Sequence, residues 1–353
     1  MKLKKNILVS PLNWGIGHAT RCIPIIKKLQ EHNFNVIIAS SGRSLDLLIQ
    51  EFPNLDFIKI NDYNIKYYSS LPMTISMLIQ IPKILFNIQK ENNQLKAIIN
   101  DFKIDGIISD NRYGMYSNDI PSVFITHQLE IQTPIFKNLI KKINNKLINR
   151  FSECWIPDFE INGIAGKLSR LTNPTKNYKY IGPLSRFIKK KSEIKYDVLA
   201  IISGPEPQRS ILEKTLINEL KILKKKSLLL QGKPEKKYTD KINNLTIKSH
   251  LSSEELNLAM IESKLIICRS GYSTVMDLFK LQKNAILIPT PGQTEQEYLS
   301  KFLSESNYFK SINQNKINFN NLITNTQKFQ KIKKRDEETN WNSLLNIFNK
   351  LEL

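Results

Sequence analysis

The chain has 353 residues, which is too long for one ordinary hydrophobic core and predicts two domains. Its composition, 41% hydrophobic and 24% charged residues, is that of a globular protein. The net charge of +20 favours anionic partners such as phosphorylated ligands or an acidic membrane. Nucleic acid is not expected as a partner, because no recognised nucleic-acid motif occurs.

The cysteines and the apolar runs exclude further classes. The three cysteines are far apart and form no CxxC pair, so neither a disulfide framework nor a zinc site is expected. No apolar run reaches the roughly 20 residues of a membrane-spanning helix, and the first run is too short for a signal peptide. These features predict a protein of the reducing cytoplasm.

Strand and helix patterns alternate along the first half of the chain. Strands are predicted at Ile7–Ser10, Phe34–Ser40, Leu55–Ile60, Gly106–Ser109, Ser122–Thr126 and Cys154–Ile156. Helices are predicted at Thr20–Glu31, Ser44–Glu51 and Ile135–Phe151, and in the long pattern Pro72–Asn100, which Pro82 interrupts. Such alternation predicts a parallel sheet covered on both faces.

A polar and basic stretch, Pro183–Lys195, is interpreted as a linker, and a second alternating series follows it. Its predicted strands are Val198–Ser203, Ser227–Leu230, Leu245–Ile247, Leu265–Ile267 and Ala285–Pro289, and its predicted helices are Gln208–Lys221, Ser253–Glu262, Thr274–Leu281 and Glu295–Ser306. We therefore predict an α/β protein with two Rossmann-like, doubly wound domains facing a cleft, at residues 1–183 and 184–327. Residues 328–353 are predicted to form a helical tail that could pack back on the first domain.

The turn between the first strand and the first helix reads Pro11-Leu-Asn-Trp-Gly15-Ile-Gly17-His18. Gly15 and Gly17 permit a tight turn and the close approach of a ligand to the backbone. A dinucleotide site is not indicated, because Thr20 replaces the third glycine of the GxGxxG pattern and the second strand lacks a following acid. His18 at this turn could act as a general base or bind a phosphate or sugar hydroxyl. The alternative interpretation is that His18 only caps the helix.

A second turn, Cys268-Arg269-Ser270-Gly271-Tyr272-Ser273-Thr274, joins a buried strand to a helix. Backbone N–H groups at a helix start suit a phosphate, so Ser270, Gly271, Ser273 and Thr274 are candidate phosphate ligands. Arg269 could pair with phosphate or with a carboxylate of its own domain. Asp277, one turn into the helix, could reach the hydroxyls of a ribose. The pattern predicts a nucleoside diphosphate site.

After the next strand comes Pro289-Thr-Pro-Gly292-Gln293-Thr-Glu295-Gln296-Glu297. Its amides and carboxylates lie in the first turn of a helix, where they could bind the hydroxyls of a sugar. Helix capping is the alternative interpretation, above all for Glu295.

In these segments the chain resembles the GT-B glycosyltransferases, and most closely family 28, the type of the lipid-linked N-acetylglucosamine transferase of peptidoglycan synthesis. The resemblance rests on the Gly15-Ile-Gly17-His18 turn, the segment from Cys268 to Asp277, and the later Gln296-Glu297 pair. It spans both domains in order, and about forty residues carry it. The chain looks closer to an uncharacterised bacterial branch of the family than to the peptidoglycan enzyme.

The resemblance implies roles for individual residues. Asp277, where the family's peptidoglycan enzyme has Glu, would hold the ribose. The backbone of Leu251, after His250, would read the uracil edge. Gln296 would contact the donor sugar, and Gln293 lies in the same turn. Glu297 stands where that enzyme has a second Gln, which leaves the identity of the sugar open.

Further positions follow from the same comparison. Ser203 and Gly204 stand where the family has a glycine-rich phosphate loop, although this loop has fewer glycines. His127 and Gln128 stand where the family has a short His-containing segment facing the cleft. Asp110 ends a neighbouring strand and could also line the site.

These expectations describe an enzyme that transfers a hexosyl unit, with inversion, from a nucleotide sugar that we expect to carry UDP. No cofactor is expected beyond that co-substrate. His18 or Asp110 would deprotonate the acceptor, with His18 favoured because a neutral imidazole is available near pH 7. Charge on the leaving group would be stabilised by a helix N-terminus and Arg269. Metal independence is expected, because the chain contains no Asp-x-Asp triplet.

Two further features leave alternatives open. A basic amphipathic segment, Phe136–Arg150, and an apolar segment, Met77–Phe86, could contact an anionic membrane that carries a lipid acceptor at its inner face. They could also be an ordinary helix packed on the sheet with solvated lysines. An alternative function is that of a UDP-N-acetylglucosamine 2-epimerase of the same architecture, which would need carboxylates around the sugar such as Glu297 and Asp110. A third possible function is that of a non-catalytic nucleotide-sugar binder.

Overall fold

Two parallel sheets flanked by helices make up the described part of the chain. The computed structural model describes residues 4–63, 79–130, 137–170, 177–233, 237–317, 329, 330, 332 and 339–349. Spatial clustering divides the chain into two compact units, of which the first comprises Met1–Ser185 with Glu337–Leu353 and the second Arg186–Asp336. The predicted α/β fold is confirmed in both units.

The first unit contains a seven-stranded sheet in the order β3-β2-β1-β4-β5-β6-β7. All of its strand pairs are parallel. Its strands are β1 (Asn6–Pro11), β2 (Asn35–Ser40), β3 (Asp56–Lys59), β4 (Ile104–Asp110), β5 (Ser122–Ile125), β6 (Glu153–Ile156) and β7 (Tyr178–Tyr180). The central strands are almost continuously apolar because helices cover both faces. The strand order reverses between β1 and β4, so their carboxyl ends form a switch point.

The described helices that flank this sheet are α1 (Gly17–Glu31), α2 (Gly42–Glu51), α3 (Ile81–Phe102) and α4 (Lys137–Ile148). Pro82 was predicted to interrupt the third helix, but it lies at the start of α3. A proline is favourable there because the first helical N–H groups have no intrahelical acceptor. The part of the predicted pattern before residue 79 lies outside the described residues.

The second unit contains a seven-stranded sheet in the order β10-β11-β9-β8-β12-β13-β14. Its strands are β8 (Tyr196–Ile201), β9 (Ser227–Leu230), β10 (Thr239–Ile242), β11 (Leu245–Lys248), β12 (Ser263–Cys268), β13 (Ala285–Leu287) and β14 (Phe309–Ser311). Only the β10–β11 pair is antiparallel among these described strands. The helices are α5 (Gln208–Ile222), α6 (Ser253–Ile261), α7 (Tyr272–Leu281) and α8 (Thr294–Glu305). The order reverses between β8 and β12, which gives this unit its own switch point.

The segment predicted as a linker makes defined contacts with the second unit. Phe187 is buried, and the carbonyl of Ile188 accepts a hydrogen bond of 3.1 Å from Asn257 Nδ2 in α6. Lys195 Nζ forms an ion pair with Glu262 at 2.7 Å. This stretch contains no helix or strand, but it is held against the second unit.

The end of the chain packs on the first unit. A short helix, α9 (Trp341–Leu345), leads to Phe348, whose side chain is fully buried. Lys5 Nζ donates to the carbonyl of Phe348 at 3.1 Å, and His32 Nε2 lies 2.9 Å from Asn342 Oδ1. Among the described residues, no helix is both long and apolar enough to cross a bilayer.

Candidate active site

The turn after β1 is fixed by polar contacts at the carboxyl ends of neighbouring strands. Leu12 N–H donates to the carbonyl of Asp110 at 2.9 Å. Asn13 Nδ2 donates to Asp62 Oδ2 at 2.7 Å. Gly15 has a φ of +76°, a conformation that favours glycine, and a Cβ added there would meet nothing within 4 Å. The turn is therefore held at its base and open at its tip.

Four polar side chains meet beneath this turn. His18 Nδ1 lies 2.8 Å from Asp110 Oδ1, and Arg21 Nε and Nη2 both donate to the Asp110 carboxylate. Arg21 Nη1 lies 3.2 Å from His127 Nδ1. Asp110 and Arg21 are buried, whereas the His18 side chain keeps 14% of its surface exposed. The structure thus brings together His18, Asp110 and His127.

The charge state of Asp110 determines the tautomer of His18. Burial alone would raise the pKa of Asp110, but the charges and hydrogen bonds of Arg21 and His18 outweigh it, so the pKa falls to about 2. An ionised carboxylate only accepts hydrogen bonds, so the 2.8 Å contact with Asp110 Oδ1 assigns the proton to His18 Nδ1, which also lies 2.9 Å from Arg21 Nη2. This leaves Nε2 of His18 as an acceptor.

The imidazole of His18 is neutral near pH 7. Burial lowers its pKa below 6.5, Asp110 raises it, and Arg21 lowers it again, with a net lowering. A neutral imidazole whose Nδ1–H is held by a carboxylate is the arrangement of a general base. Asp110 itself, offered by the sequence as an alternative base, has no exposed surface and binds its protein partners. The structure gives Asp110 the position of an orienting group.

Gln128 lies at the edge of this cluster. It is half-buried, its N–H donates to Thr126 Oγ1 at 3.0 Å, and its carbonyl accepts from Asn144 Nδ2 at 3.2 Å. Arg21 is the member to which sequence reasoning assigned no role. Its position three residues after His18 places the two side chains on one face of α1, which is the signal that could have identified it.

A second group of predicted residues lies at the switch point of the second unit. Ser203 and Gly204 follow β8 and are exposed, and Gly204 has a φ of +106°. Gly271 caps α7 without a side-chain hydrogen bond, and a Cβ added to it would meet nothing within 4 Å. Ser270 is buried and its hydroxyl donates to the carbonyl of Gln296 at 2.8 Å.

Three of the predicted side chains on α7 keep part of their surface exposed. Ser273, Thr274 and Asp277 are each half-buried on α7. Ser270 therefore ties α7 to α8, while the start of α7 stays open at Gly271. Such a helix start is suited to an anion.

Arg269 differs from the expectation. Its side chain is 1% exposed, and its guanidinium donates to five neutral oxygens rather than to a carboxylate: the carbonyls of Ser203, Gln208, Ile288 and Pro289, and Oε1 of Gln314. Direct pairing with a ligand phosphate is therefore not its role in this conformation, because protein acceptors occupy the donors. Sequence reasoning could not find these partners, since most of them are backbone carbonyls.

The turn before α8 is organised by two of its predicted residues. Gln296 Oε1 accepts from the N–H of Thr290 at 2.9 Å, which fixes the orientation of the amide. Glu297 Oε1 accepts from the N–H of Gly292 at 2.9 Å and closes the turn. Gln293 is the N-cap of α8, and Glu295 is half-buried in its first turn. Gln296 itself is 7% exposed, and its amide oxygen is held by the turn.

His250 and Leu251 lie between β11 and α6. His250 is half-buried and Leu251 is 7% exposed. The helix that follows starts with a capping box, in which Ser252 and Glu255 exchange hydrogen bonds. Among the described residues, no cluster of three His, Cys, Asp or Glu side chains could hold a metal ion.

Comparison with protein families identifies both halves of the chain. Residues 206–352 match the glycosyltransferase family 28 C-terminal domain, and residues 6–145 match glycosyl transferase family 1. A Glaesserella parasuis protein described as UDP-N-acetylglucosamine--N-acetylmuramyl-(pentapeptide) pyrophosphoryl-undecaprenol N-acetylglucosamine transferase is 22% identical over 311 residues, 84% of this chain and 82% of its own length. An uncharacterized glycosyltransferase of Methanosarcina mazei is 22% identical over 327 residues, 83% and 82% of the two chains.

Solved structures share the fold of the chain. MurG of Acinetobacter baumannii superimposes with a TM-score of 0.54 at 17% identity, covering 89% of this chain and 87% of its own. The glycotransferase of kitacinnamycin superimposes with a TM-score of 0.61 at 13% identity, covering 91% and 89%. The predicted resemblance is confirmed: the chain is a glycosyltransferase of GT-B fold whose residues 206–352 match the family 28 C-terminal domain.

Proposed function

We propose that the chain transfers a hexosyl unit from a UDP-sugar to a hydroxyl group of a lipid-linked acceptor, with inversion and without a metal ion. The observation that carries the proposal is the His18–Asp110 pair, which leaves a neutral imidazole nitrogen available beside an open glycine turn. The related Glaesserella parasuis transferase, by its description, uses UDP-N-acetylglucosamine and an undecaprenol-linked acceptor. Its similarity supports a donor and an acceptor of those classes.

The proposed reaction is one displacement. His18 Nε2 removes the proton of the acceptor hydroxyl, and the hydroxyl oxygen forms a bond with the anomeric carbon as the bond to the β-phosphate oxygen breaks. UDP leaves with the electron pair of the broken bond. The proton stays on His18 until solvent takes it. Attack from the face opposite to UDP inverts the anomeric configuration.

Residues of the second unit bind the donor in this proposal. The N-terminal end of α7, at Gly271 to Thr274, stabilises the charge of the leaving diphosphate. Asp277 binds the ribose hydroxyls, and the backbone at Leu251 reads the uracil. The NH₂ group of Gln296 donates to a sugar hydroxyl, because its oxygen is already bound by Thr290 N–H.

The described geometry does not favour the epimerase. Such an enzyme needs carboxylates at the sugar, but Asp110 is buried against Arg21, and Glu297 Oε1 is bound to the N–H of Gly292. The deciding experiment incubates the pure protein with UDP-, GDP- and dTDP-sugars, with and without polyprenyl-linked acceptors. Release of UDP only when acceptor is present supports a transferase, whereas conversion of the sugar without acceptor would establish an epimerase.

A thermal-shift screen tests the nucleotide assignment before any acceptor is known. Ligands that bind only the folded state raise the unfolding temperature, by an amount that grows with the logarithm of the ligand concentration divided by its Kd. UDP should give the largest shift of the three diphosphates, and Asp277→Ala should reduce it. Equal shifts with UDP, GDP and dTDP would refute the uridine assignment. Unchanged turnover in EDTA would support metal independence.

A further inference from the structure

Arg269 is a buried cation without an ionic partner in the described part of the chain. Its five hydrogen-bond acceptors are neutral oxygens. Burial lowers its pKa to about 10, and no charged neighbour contributes to the shift. The guanidinium is therefore still protonated near pH 7. A buried charge that lacks a counter-ion destabilises the folded state, so a compensating anion is expected from elsewhere.

The surroundings of Gly204 show where such an anion can approach. A Cβ added to Gly204 would lie 3.5 Å from Arg269 Nε and 3.4 Å from Thr290 Oγ1, both within van der Waals contact. Gly204 is itself exposed, so the guanidinium lies close to the protein surface at this loop. The hydroxyl of Thr290 is buried and has no hydrogen-bond partner among the described residues.

We propose that Arg269 is the internal counter-charge for the diphosphate of the donor: it acts through its electric field and through the loops it holds, without touching the phosphates. This inference rests on the proposed function, because it needs a nucleoside diphosphate as ligand. The positive end of α7 adds to the same field. By holding the carbonyls of Ser203, Gln208 and Pro289 together, Arg269 also positions the loop that the diphosphate meets.

A substitution at Gln314 can neutralise the charge of Arg269 while keeping the hydrogen bonds of the guanidinium to the surrounding carbonyls. Gln314 Oε1 accepts from Arg269 Nη2 at 2.6 Å, and its Nε2 donates to Gln208 Oε1 at 2.8 Å. Gln314→Glu places a carboxylate of nearly the same shape on the guanidinium. Gln314→Met is the uncharged control: like Gln314→Glu it loses the bond to Gln208, and it also loses the acceptor of Arg269 Nη2, but it adds no charge.

The experiment measures the affinities of UDP and of uridine, which lacks phosphate, together with the unfolding temperature of each unliganded variant. Gln314→Glu should weaken UDP binding about tenfold, as expected for a charge lost at close range, and leave uridine binding unchanged. It should also unfold at a higher temperature than Gln314→Met. Gln314→Met should keep the wild-type preference for UDP over uridine.

A second pair of variants, at Arg269 itself, separates the effect of its charge from its effect on the position of the loop. Arg269→Lys keeps the charge and loses the planar fork, whereas Arg269→Met loses both. The preference for UDP over uridine should persist in the lysine variant and fall about tenfold in the methionine variant. Equal weakening of UDP and uridine in Arg269→Met, or an unchanged preference in Gln314→Glu, would overturn the inference. Failure of the wild-type protein to bind UDP would instead refute the proposed function.

Discussion

At the scale of single residues, the buried ion pair of Asp110 and Arg21 explains how a histidine can serve as a base in a polar cluster. The ionised carboxylate of Asp110 accepts a hydrogen bond from the Nδ1–H of His18, while Arg21 compensates the carboxylate charge that would otherwise raise the pKa of the imidazole. The same arginine lies 3.2 Å from His127 Nδ1, so both imidazoles are oriented by one guanidinium. A histidine alone at this turn would lack a fixed tautomer.

Replacing His18 tests the proposed base directly. His18→Ala should lower kcat by about 10²–10⁴, the usual contribution of a general base, with little change in the KM for the donor. Steady-state rates of UDP release give both parameters. His32→Ala is the matched control, because His32 lies at the end of α1, where its Nδ1 is 2.8 Å from the carbonyl of Lys28. Retention of wild-type kcat by His18→Ala would exclude the histidine as base.

The pH profile of kcat tests the charge state. The pKa of His18 lies below 6.5, chiefly because of burial, so the neutral base should persist as pH falls to 6.5. The rate should then drop at lower pH as the imidazole gains its proton. Asp110, with a pKa of about 2, stays ionised across that range. An acid limb centred above pH 6.5 in the profile would contradict this assignment.

At the scale of secondary-structure elements, the sequence allowed the central strands and most helices to be predicted, because buried parallel strands are almost wholly apolar. The edge strands β7, β10 and β14 were not predicted. They are three or four residues long, and β10 is almost wholly exposed with the sequence Thr-Asp-Lys-Ile. Such strands form by pairing with a neighbour, and they need no apolar pattern of their own.

The candidate site was predictable where a motif spans one turn, as with His18 or Gly271. The Arg21–Asp110 pair joins positions 89 residues apart, and it arises only because β4 lies beside β1. The neutral partners of Arg269 are mostly backbone carbonyls, which no side-chain pattern reveals. Ion pairs between distant strands and hydrogen bonds to backbone carbonyls both depend on the order of the strands and the path of the loops, which the sequence pattern does not show.

The end of the chain supplies a core side chain to the first unit, which predicts a large effect of Phe348. Its fully buried ring lies 6.2 Å from that of Phe34 and 6.4 Å from that of Trp155, centroid to centroid. Phe348→Ala should lower the free energy of unfolding by about 3–5 kcal/mol, as measured by urea denaturation.

The control for this prediction is Phe86→Ala, since Phe86 is 69% exposed and should cost almost nothing. Gly106→Ala should also destabilise, because its new methyl group would overlap the Phe348 ring. The double variant Gly106→Ala with Phe348→Ala should lose less free energy of unfolding than the sum of the two single variants. Removing the Phe348 ring removes the overlap with the new methyl group, and that methyl group occupies part of the space that the ring leaves. Strict additivity would show that the two positions do not share this contact.

At the scale of the whole molecule, the net charge of +20 is combined with an exposed apolar surface on the first unit. We define the α3–α4 surface as the exposed side chains of α3 and α4, which include Lys83, Leu85, Phe86, Leu139, Lys142 and Lys146. The two helices lie side by side, because Ile84 and Ile88 of α3 share a hydrophobic cluster with Ile143 and Leu147 of α4. Exposed apolar and basic groups on adjacent helices are suited to an anionic membrane surface.

Membrane binding is the expected property of this surface, and cosedimentation with vesicles measures it. The protein should pellet with vesicles that contain anionic lipid at low salt, less so at high salt because exposed charges are screened, and little with neutral vesicles. Lys142→Glu with Lys146→Glu should weaken binding about tenfold or more, since each lysine near the membrane surface contributes about 1 kcal/mol.

Phe86→Ser should weaken vesicle binding at both salt concentrations. Ile222→Ser is the matched control, because Ile222 is 70% exposed but belongs to the second unit. Equal loss of binding in that control, or no pelleting of the wild-type protein at low salt, would refute a role for the α3–α4 surface.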